Sequence, residues 1–283
     1  MQQVKPIVGV SKIIDLYDAV ICGFNGVISK KQGINLEAVN ALFKMSEAGK
    51  EIVILSNLAL RVETLIQSLK DVAFDLSRLK AVITAGELMH YFLKNTTKYG
   101  HKYYNLGSPN SENIFQNLAY QKVTEIENAD FLFIADLQQQ KGQTEDYIPL
   151  LEVACALNLP LLCVGTDVSF CDGEDVVLGA AAIAEQYAVM GGKIITIGKP
   201  EEKVLRYTIE AFKKPLKKIL VIGDNCASDI KAGQIIGADT LLISKGVHTH
   251  TLGEGYIPDV EKARNLAAQF GVELSYVMSG LRW

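Results

Sequence analysis

Apolar residues in this chain fall into short unbroken runs that alternate with stretches of helical spacing. Ala19-Val20-Ile21-Cys22 is one such run, closed by Gly23, and an apolar tetrad without alternation predicts a strand buried on both faces of a parallel sheet. Asn35 stands at a helix N-cap position, Leu36, Val39, Leu42 and Phe43 recur at helical spacing, and Gly49 provides a left-handed stop. Ile52 to Leu55 form a second run that ends at Ser56-Asn57. Strand, helix and strand in succession make a βαβ unit, whose crossover demands parallel pairing.

The alternation continues with a helix from Arg61 to Lys70, a strand at Ala81-Val82-Ile83 and a helix from Glu87 to Lys94. Its texture then changes. Strand-like runs at Lys102–Leu106, Asp130–Ala135 and Leu159–Val164 are separated by helical patterns near Ser111–Tyr120 and Asp146–Leu157. The polar run Gln138 to Gln143 reads as an exposed loop. The first texture resumes with a strand at Lys193–Ile197 and the sequence Gly198-Lys199-Pro200. An amphipathic helix follows, carrying Val204, Leu205, Thr208, Ile209 and Phe212 on one stripe. A strand at Ile219–Ile222 ends in Gly223-Asp224-Asn225, and a helix over Ser228–Ile236 and a strand over Thr240–Ile243 complete the pattern. No internal repeat of fixed period is present. The expected fold is α/β: a Rossmann-like core of residues 1–84 and 188–283, with an α/β unit of residues 85–187 inserted between its halves.

Composition narrows the function classes. The 283 residues are 49% hydrophobic, enough for two cores, and 28 basic against 32 acidic residues give a net charge of -4. No basic face for nucleic acid is expected from this balance, and Lys213-Lys214 and Lys217-Lys218 around Pro215 read as a helix end and a strand start. Five cysteines, at 22, 155, 163, 171 and 226, show no C-x-x-C pair and no zinc spacing. They fit a reducing, cytoplasmic setting. No stretch approaches the roughly 18 uninterrupted apolar residues of a membrane span.

Open parallel sheets bind ligands beyond the carboxyl ends of their strands, near the switch in strand order. That rule gathers Gly23 to Gly26, Ser56-Asn57, Lys199 and Asp224 to Asp229. A hydroxyl and a lysine suit phosphate oxygens, and carboxylates suit Mg²⁺. In this order, with a long insertion between the second and third, the four elements resemble the haloacid dehalogenase (HAD) superfamily, specifically its NagD-like class IIA branch. Leu55-Ser56-Asn57 is similar to motif II, Gly198-Lys199-Pro200 to motif III, and Gly223-Asp224-Asn225-Cys226-Ala227-Ser228-Asp229 to motif IV. Cys163-Val164-Gly165-Thr166-Asp167 resembles the end of the family's C2-type cap, where Asn-Pro-Asp is more usual.

The resemblance implies a Mg²⁺-dependent phosphoric monoester hydrolase in which the first aspartate of motif I takes the phosphoryl group and water then releases it. That aspartate falls at Gly23. The acid–base residue two positions on falls at Asn25, whose amide exchanges no proton at neutral pH. The resemblance further implies Asp224 and Asp229 as metal residues with the Asn25 backbone carbonyl, Ser56 and Asn57 as phosphate ligands, and Lys199 as the neutralising charge. Loss of the nucleophile removes an anionic metal ligand, so Mg²⁺ binding is expected to be weak. The expected partner is free phosphate or a small phosphorylated metabolite. Three readings stand at this stage: a pseudo-phosphatase, a phosphohydrolase using metal-activated water, and a structural role through a protein partner or a homo-oligomer.

Plainer roles exist for the same residues. Ser56-Asn57 suits a capping turn, Lys199 a solvated side chain, and Asp224 and Asp229 the N-terminus of the following helix. Cys22 is expected to point into packing, Cys226 lies near the crevice without a visible base, and Asp15 and Asp18 precede the strand at its wrong end. His248 and His250 alternate in an expected loop and lack a third metal ligand.

Overall fold

A computed structural model describes residues 4–30, 33–137, 143–172, 175–213 and 215–283, and the expected Gln138 loop and Lys214 lie outside them. Seven parallel strands form the larger sheet, in the order Lys5–Pro6, Tyr276–Met278, Asp239–Ile243, Ile219–Gly223, Ala19–Cys22, Glu51–Ser56, Ala81–Thr84. Val20 lies opposite both Ile52 and Leu220. Alternate residues then serve opposite faces. Val20, Cys22, Ile52, Ile54, Leu220 and Ile222 pack on Leu42 and Met45 of the helix Leu36–Glu47. Ile21, Val53, Leu55 and Val221 pack on Val204, Leu205 and Phe212 from the other side. Each fully buried aliphatic side chain in these layers contributes about 1.5–3 kcal/mol, which is why the strands read as unbroken apolar runs. The helix between them begins where expected, with the Asn35 side chain accepting from Glu37 N–H at 3.1 Å.

A second parallel sheet has the order Ile194–Ile197, Leu161–Val164, Phe131–Ile134, Lys102–Asn105, Gln121–Lys122. Leu132, Ile134, Leu161 and Cys163 face Ile183 and Tyr187 of the helix Ala180–Val189. Phe131, Phe133, Leu162 and Val164 face Met89 and Leu93 of the helix Ala85–Lys94. Tyr103 stacks on Phe115 in that second layer with centroids 3.8 Å apart. The architecture is thus a Rossmann-like core with an inserted α/β cap.

Two expectations are corrected. The strand expected to resume the core at Lys193–Ile197 is instead the edge of the cap sheet, with Ile194 opposite Leu161 and Ile197 opposite Val164. The sequence boundary at 187 therefore falls short of the last cap strand, because an apolar run does not reveal which sheet it joins. The helix expected over Ser111–Tyr120 is a 3-10 segment, Pro109–Phe115, and Asn117 turns the chain with φ of +61°. The strands Lys5–Pro6 and Tyr276–Met278 and the hairpin Ser169–Asp172/Asp175–Leu178 were not expected. Among the described residues, no helix is long and apolar enough to cross a membrane.

Candidate functional site

The order of the larger sheet reverses between Ala19–Cys22 and Ile219–Gly223, which lie side by side with Cys22 opposite Ile222. From this pair the chain proceeds outward in both directions, leaving a crevice at the carboxyl ends. A cavity of about 240 Å³ occupies it, and Asn25, Ser56, Asn57, Lys199, Asp224 and Asp229 are among its lining residues. The four loops singled out in the sequence therefore meet in one place.

The Asp224–Asp229 loop is fixed by its own main chain. Asp229 Oδ2 accepts from the N–H groups of Asp224 and Asn225, each at 3.1 Å. The chain turns wide here, with Ile230 N–H reaching back five residues to Asn225 O at 3.1 Å. Such widened turns recur at functional sites. Glycines make room for both carboxylates. A Cβ on Gly26, whose φ is +70°, would lie 1.9 Å from Asp224 Oδ2, and one on Gly223 would lie 2.1 Å from Asp229 Cβ. Those two positions require glycine for close approach.

Lys199 comes from the cap side, two residues after the cap's edge strand, and closes onto the core. Its Nζ donates to Asp229 Oδ1 at 2.5 Å and to Leu55 O at 2.8 Å, with both charged side chains at most 7% exposed. Burial lowers the Lys199 pKa, but Asp229, Asp167 and Asp224 outweigh it and hold the ammonium above its ordinary range. Asn57 fastens the same loop: its Oδ1 accepts from Lys199 N–H at 2.7 Å, and its Nδ2 donates to Thr166 Oγ1 at 3.0 Å and Lys199 O at 3.3 Å. The Asn57 side chain is thereby a tie between core and cap. Ser56 is buried, and its Oγ accepts from Leu58 N–H at 3.1 Å while the hydroxyl hydrogen remains to donate.

At the end of the strand Ala19–Cys22 the arrangement is bare. Gly23 follows the strand directly, its N–H donating to Ile222 O at 2.8 Å. Its φ is not in the left-handed region, and an added Cβ would meet Asp229 Oδ1 at 3.2 Å and Ile222 O at 3.4 Å. The backbone thus permits a side chain there, directed at Asp229. Asn25 sits two residues on, bridged to Ser29 and half-buried at the cavity wall.

Electrostatics at the floor are dominated by acids. Burial, then the neighbouring Asp229 carboxylate, pushes the Asp224 pKa up to about 8, against the pull of the Val247 N–H that donates to its Oδ2 at 2.8 Å. Asp167, which accepts from Asn225 Nδ2 at 3.0 Å, is also raised, mainly by burial. A divalent cation would find an incomplete donor set. Asp229 is bonded to Lys199 and two main-chain N–H groups, Asp224 is largely protonated at neutral pH, and Gly23 offers no side chain. Among the described residues, no three His, Cys, Asp or Glu side chains converge on one point. Mg²⁺ asks for near-octahedral oxygen ligation, and these residues do not supply a resident Mg²⁺ site.

Other candidates fall outside this chemistry. Cys22 is buried in the core cluster beneath the sheet. Cys226 is fully buried, and burial pushes its thiol up to about 12. His248 caps the short helix Thr249–Leu252, accepts from Cys226 N–H at 3.2 Å through Nε2 and is lowered to about 4 by burial, so it is neutral. His250 is exposed in that helix rather than in a loop. Asp18 lies at the opposite end of the strand, accepting from the N–H groups of Lys217 and Lys218. Sequence reasoning missed Val247 and Asp136 as cavity residues, since nothing in their local pattern announces a loop that folds over a distant strand end.

Comparison with known proteins bears on this arrangement. A haloacid dehalogenase-like hydrolase family matches residues 20–121, and a HAD-hydrolase-like family matches residues 196–268. The 5'-nucleotidase YutF of Bacillus subtilis (strain 168) is 27% identical over 137 residues, 48% of this chain. That match spans 51%, about half, of the length of YutF. Among solved structures, a haloacid dehalogenase-like hydrolase from Brucella suis 1330 has a TM-score of 0.79 at 23% identity, covering 96% of this chain and 98% of its own. A possible sugar phosphatase of the HAD superfamily from Cytophaga hutchinsonii ATCC 33406 has a TM-score of 0.77 at 18% identity, covering 99% and 98%. These structures share the fold over both core and cap.

Proposed function

We propose that this chain, matched over 20–121 and 196–268 by haloacid dehalogenase-like family models and sharing its fold with solved HAD structures, is a class IIA member of that superfamily and a pseudo-phosphatase, a phosphatase-like protein that holds phosphate or a small phosphorylated metabolite without turning it over. The observation that carries this reading is Gly23. It occupies the strand end where the superfamily's aspartate would attack phosphorus, and its missing side chain would have pointed at Asp229. Asn25, on the cavity wall, offers no proton for the leaving group.

Phosphate retention is supported by the convergence of the Ser56 hydroxyl and the buried Lys199 ammonium on one small cavity. Lys199 is exchangeable in this role. Its partner Asp229 remains held by two main-chain N–H groups when Nζ turns toward an anion. Mg²⁺ binds weakly in this account, since Asp224 and the Asn25 carbonyl would hold it with no carboxylate at position 23. The alternative of a metal-activated water attacking phosphorus is disfavoured by the same donor geometry. The test is turnover of p-nitrophenyl phosphate and a broad phosphometabolite panel by pure protein with Mg²⁺. The expected result is no hydrolysis above the buffer rate, and robust metal-dependent hydrolysis would overturn the proposal.

A further inference from the structure

Beyond Ser56 and Lys199, the cavity has lining residues that a bare phosphate does not use. Leu58 and Leu60 from the loop after Ser56, Leu137 from the cap, and Phe170 and Leu178 from the cap hairpin give it an apolar wall. Asp136 interrupts that wall, two residues beyond the cap strand Phe131–Ile134. Its Oδ1 accepts from Ser108 N–H at 3.2 Å, while the nearby Ser111 hydroxyl donates to Ser108 O at 2.7 Å. The Ser108 donor is neutral. The segment is also held from behind, since a Cβ on Gly107 would lie 2.2 Å from Asp136 O. A carboxylate half-buried in apolar surroundings and served, among the described residues, by a neutral main-chain N–H has an unmet electrostatic demand.

The charge balance of the whole cavity points the same way. Among the described residues, its ionisable lining consists of Asp136, Asp167, Asp224, Asp229 and Lys199, four acids and one base. Lys199 lies at the floor, where its Nζ contacts Asp229 and Leu55 O, so its positive charge serves the phosphate end rather than Asp136. A ligand with negative charge at both ends would face like charge at Asp136, whereas a positive group there would be attracted. Size sets a further limit: about 240 Å³ lies below the ~300–1,000 Å³ of sites for drug-sized ligands.

We propose that the ligand of this pocket is a small zwitterionic phosphomonoester, with its phosphate at Lys199 and Ser56, a short apolar spacer against the leucine wall, and a protonated amine on Asp136. This deepens, and rests on, the phosphate-binding reading. Asp136 is then the residue that determines specificity, contributed by the cap.

The probes are 2-aminoethyl and 4-aminobutyl phosphate, each compared by calorimetric titration with ethyl or butyl phosphate of the same length, and inorganic phosphate as reference. For at least one length the amino ester binds about tenfold tighter or more, the effect of one charge-assisted hydrogen bond in a desolvated site. Asp136→Asn and Asp136→Ser bring the two esters of each length to within about twofold of each other. Equal binding of amino and alkyl esters at both lengths would overturn this inference and leave the phosphate reading standing. No binding of any ester or of phosphate would overturn both. An amino-ester preference that survives both Asp136 variants would overturn the assignment to Asp136. The wild-type comparison decides the ligand class even if a variant does not fold.

Discussion

The Ala19–Cys22 and Ile219–Gly223 strands run side by side in register, and both bring glycine to the carboxyl edge of the sheet. Beyond that shared point they diverge. After Gly223 come two carboxylates locked by main-chain N–H groups and a buried lysine. After Cys22 come a bare glycine and an amide. The difference teaches that retained site residues also have structural duties. Asp229 organises the wide turn and neutralises Lys199, and Asn57 ties the Lys199 loop to Thr166. Position 23 has no such duty: without a side chain there, the Gly23 N–H bonds to Ile222 O and the strand is intact.

The comparison breaks most visibly if Lys199 is made apolar. Lys199→Met leaves Asp229 buried and unpaired, and unfolding in urea should show a loss of about 3–5 kcal/mol. A loss below about 1 kcal/mol would mean that the lysine has no structural role. The next effect distinguishes two glycines three residues apart. Gly26→Ala drives a Cβ into Asp224 at a φ of +70° and should destabilise by about 1–3 kcal/mol. Gly23→Ala meets an ordinary backbone and a contact of 3.2 Å, so its change should stay within about 1 kcal/mol. Similar losses for both would dissolve the contrast.

A third effect, read as a direction, is in the pH dependence of the acidic side. Asp224 has a folded pKa of about 8 against an ordinary 3.8, so between these values the folded chain keeps a proton that the unfolded chain has released. Stability contributed by this group therefore declines as pH rises from about 4 to about 8. Phosphate affinity should fall in the same direction as the carboxylate ionises near 8. Asp224→Asn should flatten both profiles, and titrations of the two proteins that superimpose would contradict the assignment.

Much of this was legible in the sequence because it depends on local pattern. Fully buried strands appear as apolar runs, Asn35 caps its helix as its side chain dictates, and the positions of Gly23, Lys199 and Asp224 follow from where strands end. What was not legible depends on partners distant in the chain. Ile194–Ile197 reads equally well as a core or a cap strand, and only its pairing with Leu161–Val164 decides. Asn57 reads as a phosphate ligand until Thr166 and Lys199 are seen to occupy its amide. Asp136 has no local signature, since its meaning comes from the apolar wall assembled around it.

The most direct test of the central claim, a site that holds phosphate beside a missing nucleophile, is a phosphorus-31 NMR titration. Pure protein is added to p-nitrophenyl phosphate with Mg²⁺ and the ester is followed over hours. The account predicts saturable broadening of the ester resonance, lost in Lys199→Met if that variant folds, with no inorganic phosphate formed above the buffer rate. An inorganic phosphate signal that grows in proportion to protein concentration would contradict it.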